Sequence, residues 1–237
     1  ATTNGALAHD NDIKKLGTVH FANSCSADVQ PLFARGVALL HSFWYAEGAK
    51  TFAEVAKADP ACAMAHWGTA ITLFNNPFTW PLTGAALPQG WAAVERAKAA
   101  NAKTQRERDY IGAVEAFYKD ADKVDHRTRA LGYLKAMEQI TQRYPEDSEA
   151  SIFYALALNA TALPADKTYA NQLKAAGILE KVFAVQPDHP GVAHYLIHSY
   201  DYPSIAQQGL NAARRYASIA PDAPHALHMP GHIFTRL

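Results

Sequence analysis

Two short strings near the carboxy end, Val185-Gln186-Pro187-Asp188 and Ile219-Ala220-Pro221-Asp222, share one form and stand 34 residues apart, proline to proline. A fixed period of this length marks a repeat architecture, in which each unit is a supersecondary motif that cannot bury its apolar face alone. Pro60 and Pro145 end helical segments in the same way. Counting back from the four prolines gives Val55, Ile140, Val182 and Tyr216 at five residues, and Phe52, Met137, Leu179 and Ala213 at eight. At twelve stand Gly48, Tyr133, Ala175 and Gly209; ten residues after the prolines stand Ala70, Ala155, Ile197 and Gly231. Gly36 supplies a similar small position in the first segment. Apolar columns at these spacings form one helix face, and small residues let a neighbouring helix approach closely.

These columns resemble the tetratricopeptide repeat superfamily, as bacterial proteins carry it, from about residue 29 to 237. The resemblance implies an all-α fold, a right-handed superhelical solenoid of antiparallel helix pairs whose first helices line a concave face. The spacing departs from the pattern at 75–90, where Asn-Asn-Pro-Phe-Thr-Trp-Pro-Leu-Thr-Gly intervenes, and at 100–145. Helices are expected at 29–41, 45–59, 63–74, 89–100, 104–119, 126–143, 147–161, 168–185, 190–201, 204–219 and 224–237. Residues 1–28 are then an amino-terminal extension, and 29–237 a repeat domain cut short at its carboxy end. The last helix lacks a second helix to cover it, so further chain, a partner or self-association is expected there.

Lys plus Arg and Asp plus Glu balance at 22 each, so no basic excess exists to neutralise phosphates and nucleic acid is not the expected partner. No apolar run reaches the roughly 18 residues that span a bilayer. Gly-rich phosphate loops, His-Glu-x-x-His, Gly-x-Ser-x-Gly and Cys-x-x-Cys are all missing, which removes the common enzymatic signatures and leaves activity open.

What remains is histidine. His194 and His198 lie four residues apart on one helix face, and His228 and His232 repeat the arrangement 34 residues later, at equivalent positions of adjacent repeats. His225 joins the stripe, and Asp201 is placed either to accept a hydrogen bond from an imidazole or to serve as a carboxylate ligand. By the resemblance these positions look onto the concave groove. Imidazole-rich sites suit transition metals, copper or zinc foremost, and helices about 8 to 10 Å apart can share an ion. Metal affinity should then fall below about pH 6, because a ligating imidazole must be neutral. Against this, Pro230 should kink the last helix and disturb the His228 to His232 spacing. Three alternatives stay open: a metal-free peptide or protein groove, structural histidines, and a metalloenzyme with Asp201 as its acid or base.

His41 and His66, beside aromatic residues, read as core or interhelical hydrogen-bonding groups, and Met229 reads as core. His9, His20, His126 and His189 carry no pattern. Phe78-Thr79-Trp80-Pro81, with Trp91, reads as a loop pinned to the surface by its aromatics rather than a lid. Cys25 precedes the first repeat helix and Cys62 follows the second, so the hairpin brings both to one end; they form a disulfide or are two unrelated buried thiols. A disulfide would place the protein in an oxidising compartment, the periplasm being the expectation for an exported chain.

Overall fold

The computed structural model describes residues 15–82 and 84–237. His9 and the rest of 1–14 lie outside the described residues. Among the described residues the regular structure is helical, as expected, and the helices pack in sequential pairs. The pairs are α1 (Gln30–His41) with α2 (Tyr45–Ala58), α3 (Ala63–Thr72) with α4 (Ala86–Ala99), α5 (Gln105–Tyr118) with α6 (His126–Arg143), α7 (Ser148–Ala160) with α8 (Ala170–Val185), and α9 (Pro190–Tyr200) with α10 (Leu210–Ile219). Two short helices, α11 (Pro224–His228) and α12 (Pro230–Phe234), end the chain. No helix of the described residues is long and apolar enough to cross a membrane.

Local chemistry explains most boundaries. Thr104 and Glu107 form a reciprocal capping box at the start of α5, and Asp125 and Asp147 cap α6 and α7 by accepting from backbone N–H groups. Three expectations shift. Helix 89–100 begins earlier, at Ala86, and the segment expected at 204–219 opens as a 3-10 turn, Ala206–Gly209, before α10. The last expected helix divides at Pro230, whose missing N–H interrupts the ladder. Met229 keeps helical angles, φ −57° and ψ −36°, so the chain continues in nearly one direction across the break.

The small columns have a visible cause. A Cβ on Gly68 would lie 2.3 Å from the Phe52 ring and one on Gly36 would lie 2.9 Å from it, so Phe52 fills the space between α1, α2 and α3 only because both sites lack side chains. Odd-numbered helices also pack on one another, α1 on α3, α3 on α5 and α7 on α9. The array then curls until α1 meets α9. Gly191, at the start of α9, permits that approach, because a Cβ there would stand 2.6 Å from Nδ1 of His41.

Residues 15–26 reinforce the closure. Thr18 N–H donates to the Asp188 carbonyl at 3.0 Å, and the Lys15 N–H donates to the Asp222 carboxylate at 2.7 Å. Phe21 is buried among Phe33, Trp67 and Tyr110, with the Arg106 guanidinium 4.7 Å above its ring. Cys25 and Cys62 form the expected disulfide, tying this segment to the α2–α3 turn.

Candidate metal centre

The closure of α1 against α9 brings distant polar groups into the interior. Glu149, near the start of α7, is buried and accepts from Nε2 of His41 and Nε2 of His189, each at 2.9 Å. Nδ1 of His41 stands 3.0 Å from the Tyr195 hydroxyl, which donates to it. Burial opposes the charge on Glu149, but the two imidazoles more than offset it and hold the carboxyl at about 2. His41 itself is pushed below its ordinary value, first by burial. The triad is fully enclosed, and its atoms pair off except Nδ1 of His189, which is buried without a hydrogen-bond partner.

His194 sits one layer further out on α9 and is also fully buried. Its Nδ1 lies 2.6 Å from the main-chain oxygen of His41. A carbonyl only accepts, so Nδ1 carries the proton and Nε2 presents a bare lone pair. Nε2 of His198 lies 3.1 Å from that atom and Nε2 of His225 lies 3.0 Å from it. A single lone pair cannot satisfy two imidazoles equally as hydrogen-bond donors. Three nitrogens about an ion at Zn–N distances stand about 3.3 Å apart in tetrahedral geometry, close to the spacing here. The three ligand atoms lie within 4.8 Å of one another.

Burial disfavours the charged form of all three imidazoles. Burial, then the charges of His198 and His225, pushes His194 well below its ordinary value. Burial, then His225, His232 and His228, does the same to His198. His225 is lowered to about 4, first by burial and then by His228 and His232. Neutral imidazole is the form that ligates.

Aromatic rings house the triad. Phe43, in the α1–α2 turn, stands 4.4 Å from the His194 ring, 5.3 Å from His225 and 5.8 Å from His198, centroid to centroid. It does so with φ +54°, a strained region for a bulky side chain. Tyr216 stacks on His194 at 5.2 Å, and Phe78 stacks on His198 at 4.0 Å. The insertion is packed, as expected, with Trp80 donating its indole N–H to the Phe74 carbonyl. Phe78 also covers a histidine, which its position in the sequence did not suggest.

His228 and His232 form a separate pair, their Nε2 atoms 3.0 Å apart. The four-residue spacing therefore survives Pro230, because Met229 stays helical. Nδ1 of His232 donates to Oδ2 of Asp201 at 2.8 Å, and Arg236 Nε donates to Oδ1 at 2.9 Å. Asp201 thus takes the first of its two expected roles, as a hydrogen-bond acceptor. Its two oxygens are engaged.

The five histidines differ in exposure. His194 is enclosed by the first hairpin, His198, His225 and His232 are half-buried, and His228 is exposed. Of the other expectations, His41 and Met229 are core residues and His66 is half-buried. His189 and Glu149 are partners that sequence reasoning missed. For Glu149 one signal was position: four residues after the repeat prolines stand Met64, Glu149, Gly191 and His225, so it shares a column with a candidate ligand; His189 had no such signal.

No family model and no curated protein matches the chain. Among solved structures it is similar to that described as "Crystal structure of YrrB: a TPR protein with an unusual peptide-binding site", at 15% identity and a TM-score of 0.40 over 85% of this chain and 91% of that one. By its own 34-residue register and sequential helix pairs, the chain is an array of helical hairpins that carries candidate histidine ligand clusters.

Proposed function

We propose that the chain binds a transition-metal ion, copper or zinc, through Nε2 of His194, His198 and His225. The observation that carries this reading is the convergence of two imidazole nitrogens, at 3.0 and 3.1 Å, on the bare Nε2 of a buried third. The His41 carbonyl fixes the orientation of His194 in the way that acceptors behind metal-bound histidines do. Imidazole ligation suits both ions, and three protein ligands leave a fourth position open. The Cys25–Cys62 bond supports an oxidising compartment, and an exported, periplasmic protein is part of the proposal.

Elemental analysis of the native protein, purified without an affinity tag, is the first test, followed by calorimetric titration of the chelated protein with zinc and with copper. Defined stoichiometry is expected, with strong loss of binding in His198→Ala and His225→Ala and none in His20→Ala, an exposed residue. Absence of binding by either ion would refute the proposal.

A second reading, a metal-free peptide-binding scaffold, rests on a different place. A cavity of about 560 Å³ between the Pro77–Trp80 segment and α6 to α8 is lined by Arg127, Asn159, Gln172 and Tyr202. Asn159 and Gln172 keep their amide oxygens buried without hydrogen-bond partners, acceptors that a small shift of either side chain would offer to peptide N–H groups. Peptide binding lost in Asn159→Leu, with metal content unchanged, would favour this reading.

A further inference from the structure

We infer that the cluster holds two metal ions side by side, the second on His228 and His232; this rests on the reading of His194, His198 and His225 as the first site. The five imidazoles do not converge on one point. Nε2 of His194 meets those of His198 and His225, whereas Nε2 of His228 and Nε2 of His232 meet each other at 3.0 Å.

The two points are built alike. Each contains one imidazole whose outward nitrogen is locked by an acceptor, His194 by the His41 carbonyl at 2.6 Å and His232 by Asp201 at 2.8 Å. In each, the inward Nε2 of that anchored ring is left bare and faces another Nε2. Asp201 is held in turn by Arg236 at 2.9 Å, so its carboxylate is a positioning group behind His232.

The two points are also neighbours. The rings of His198 and His232 are 6.0 Å apart, and so are those of His225 and His228, so the second pair faces two members of the first triad. Paired ions in protein sites stand about 3.5 to 4 Å apart when they share a bridging oxygen, a scale compatible with flanking rings at this separation. The sites differ in access. Phe43, Tyr216 and Phe78 enclose the first, while His228 is exposed. With two protein nitrogens, the second ion must complete its shell with water or a small oxyanion, and those positions open to solvent.

The test is a count of ions. The tag-free chain, stripped with chelator, reloaded with excess zinc and desalted, is expected to hold two ions, the second bound more weakly. His228→Ala and His232→Ala should each hold one, with first-site affinity within about threefold of the parent, since the triad keeps its three ligands. Asp201→Asn should weaken only the second ion, by about 10- to 100-fold. Copper(II) adds an independent readout: the fully loaded parent should show a resonance spectrum broadened by coupled ions, and His228→Ala an isolated-ion spectrum. Circular dichroism checks that the variants are folded. A parent that binds one ion, unaffected by His228→Ala, overturns the second site and leaves the first standing. Two ions retained in the His228→Ala, His232→Ala double variant also overturn it. No ion at all refutes both sites.

Discussion

The Nδ1 proton of His194 is held by the main-chain oxygen of His41, 2.6 Å away across 153 residues of sequence. The last complete hairpin thus orients its central imidazole on an atom of the first. Gly191 permits this contact, because a Cβ there would meet the His41 ring at 2.6 Å. Gly191→Ala is expected to cost about 1 to 3 kcal/mol, as overpacking does, and to weaken metal binding although the substituted residue is not a ligand. Urea unfolding and zinc titration of the same variant check both effects.

Glu149→Gln should be destabilising by about 3 kcal/mol or more, since one amide end would oppose an imidazole N–H in a dry site. The carboxylate accepts from both His41 and His189, and Gln has only one acceptor end. Equilibrium unfolding in urea at neutral pH is the measurement; parity with the parent would show that the buried triad contributes little.

The pH dependence has a definite sign. His225 is lowered to about 4 in the fold, and His194 and His198 also lie well below the ordinary value, all three first through burial. A depressed imidazole stabilises the fold fully above its unfolded value of about 6.5 and loses that contribution as pH falls towards the folded value. Metal-free protein should therefore melt at progressively lower temperature from pH 6.5 down to about 4. Burial also moves proton competition for the first ion below the pH of about 6 expected from an unperturbed imidazole. Thermal scans with and without zinc across this range test both statements.

The sequence period revealed the hairpins, the disulfide ends and five of the histidines, because each depends on spacing within a repeat or between adjacent repeats. Contacts between α1 and α9 obey no such period, and so the pairing of Glu149 with His41 and the role of Phe43 were not legible, although the repeat column marked Glu149 itself. His225 illustrates the boundary. Its proximity to His228 was legible, but its convergence on His194, three residues out of register with His228, depends on how α11 lies across α9. Pro230 suggested a disrupted pair, whereas the backbone at Met229 keeps the turn and with it the spacing.

Replacing both cysteines, in Cys25→Ser with Cys62→Ser, should cost about 4 kcal/mol in the chain-entropy account for a loop of this length. The separation is 37 residues. Alkylation of unfolded protein should add mass only after reduction, and labelling of both thiols without reductant would contradict the bond.

Phe78→Ala is expected to change stability little, because the ring is 38% exposed, yet to speed metal release to chelator several-fold by uncovering His198. Stopped-flow chelation separates this from loss of affinity. Equal release rates would assign the ring to loop packing alone.

The meeting of α1 with α9, sealed by residues 15–21, changes how such a molecule comes apart. An open solenoid behaves as a row of neighbours and can fray from either end while its middle stays intact. Here the first hairpin supplies the acceptor and the aromatic floor, and α9 with α11 supplies the proposed ligands, so loosening either end dismantles the same centre. Unfolding should consequently be a single cooperative event in which helix content and the burial of the histidine cluster vanish together.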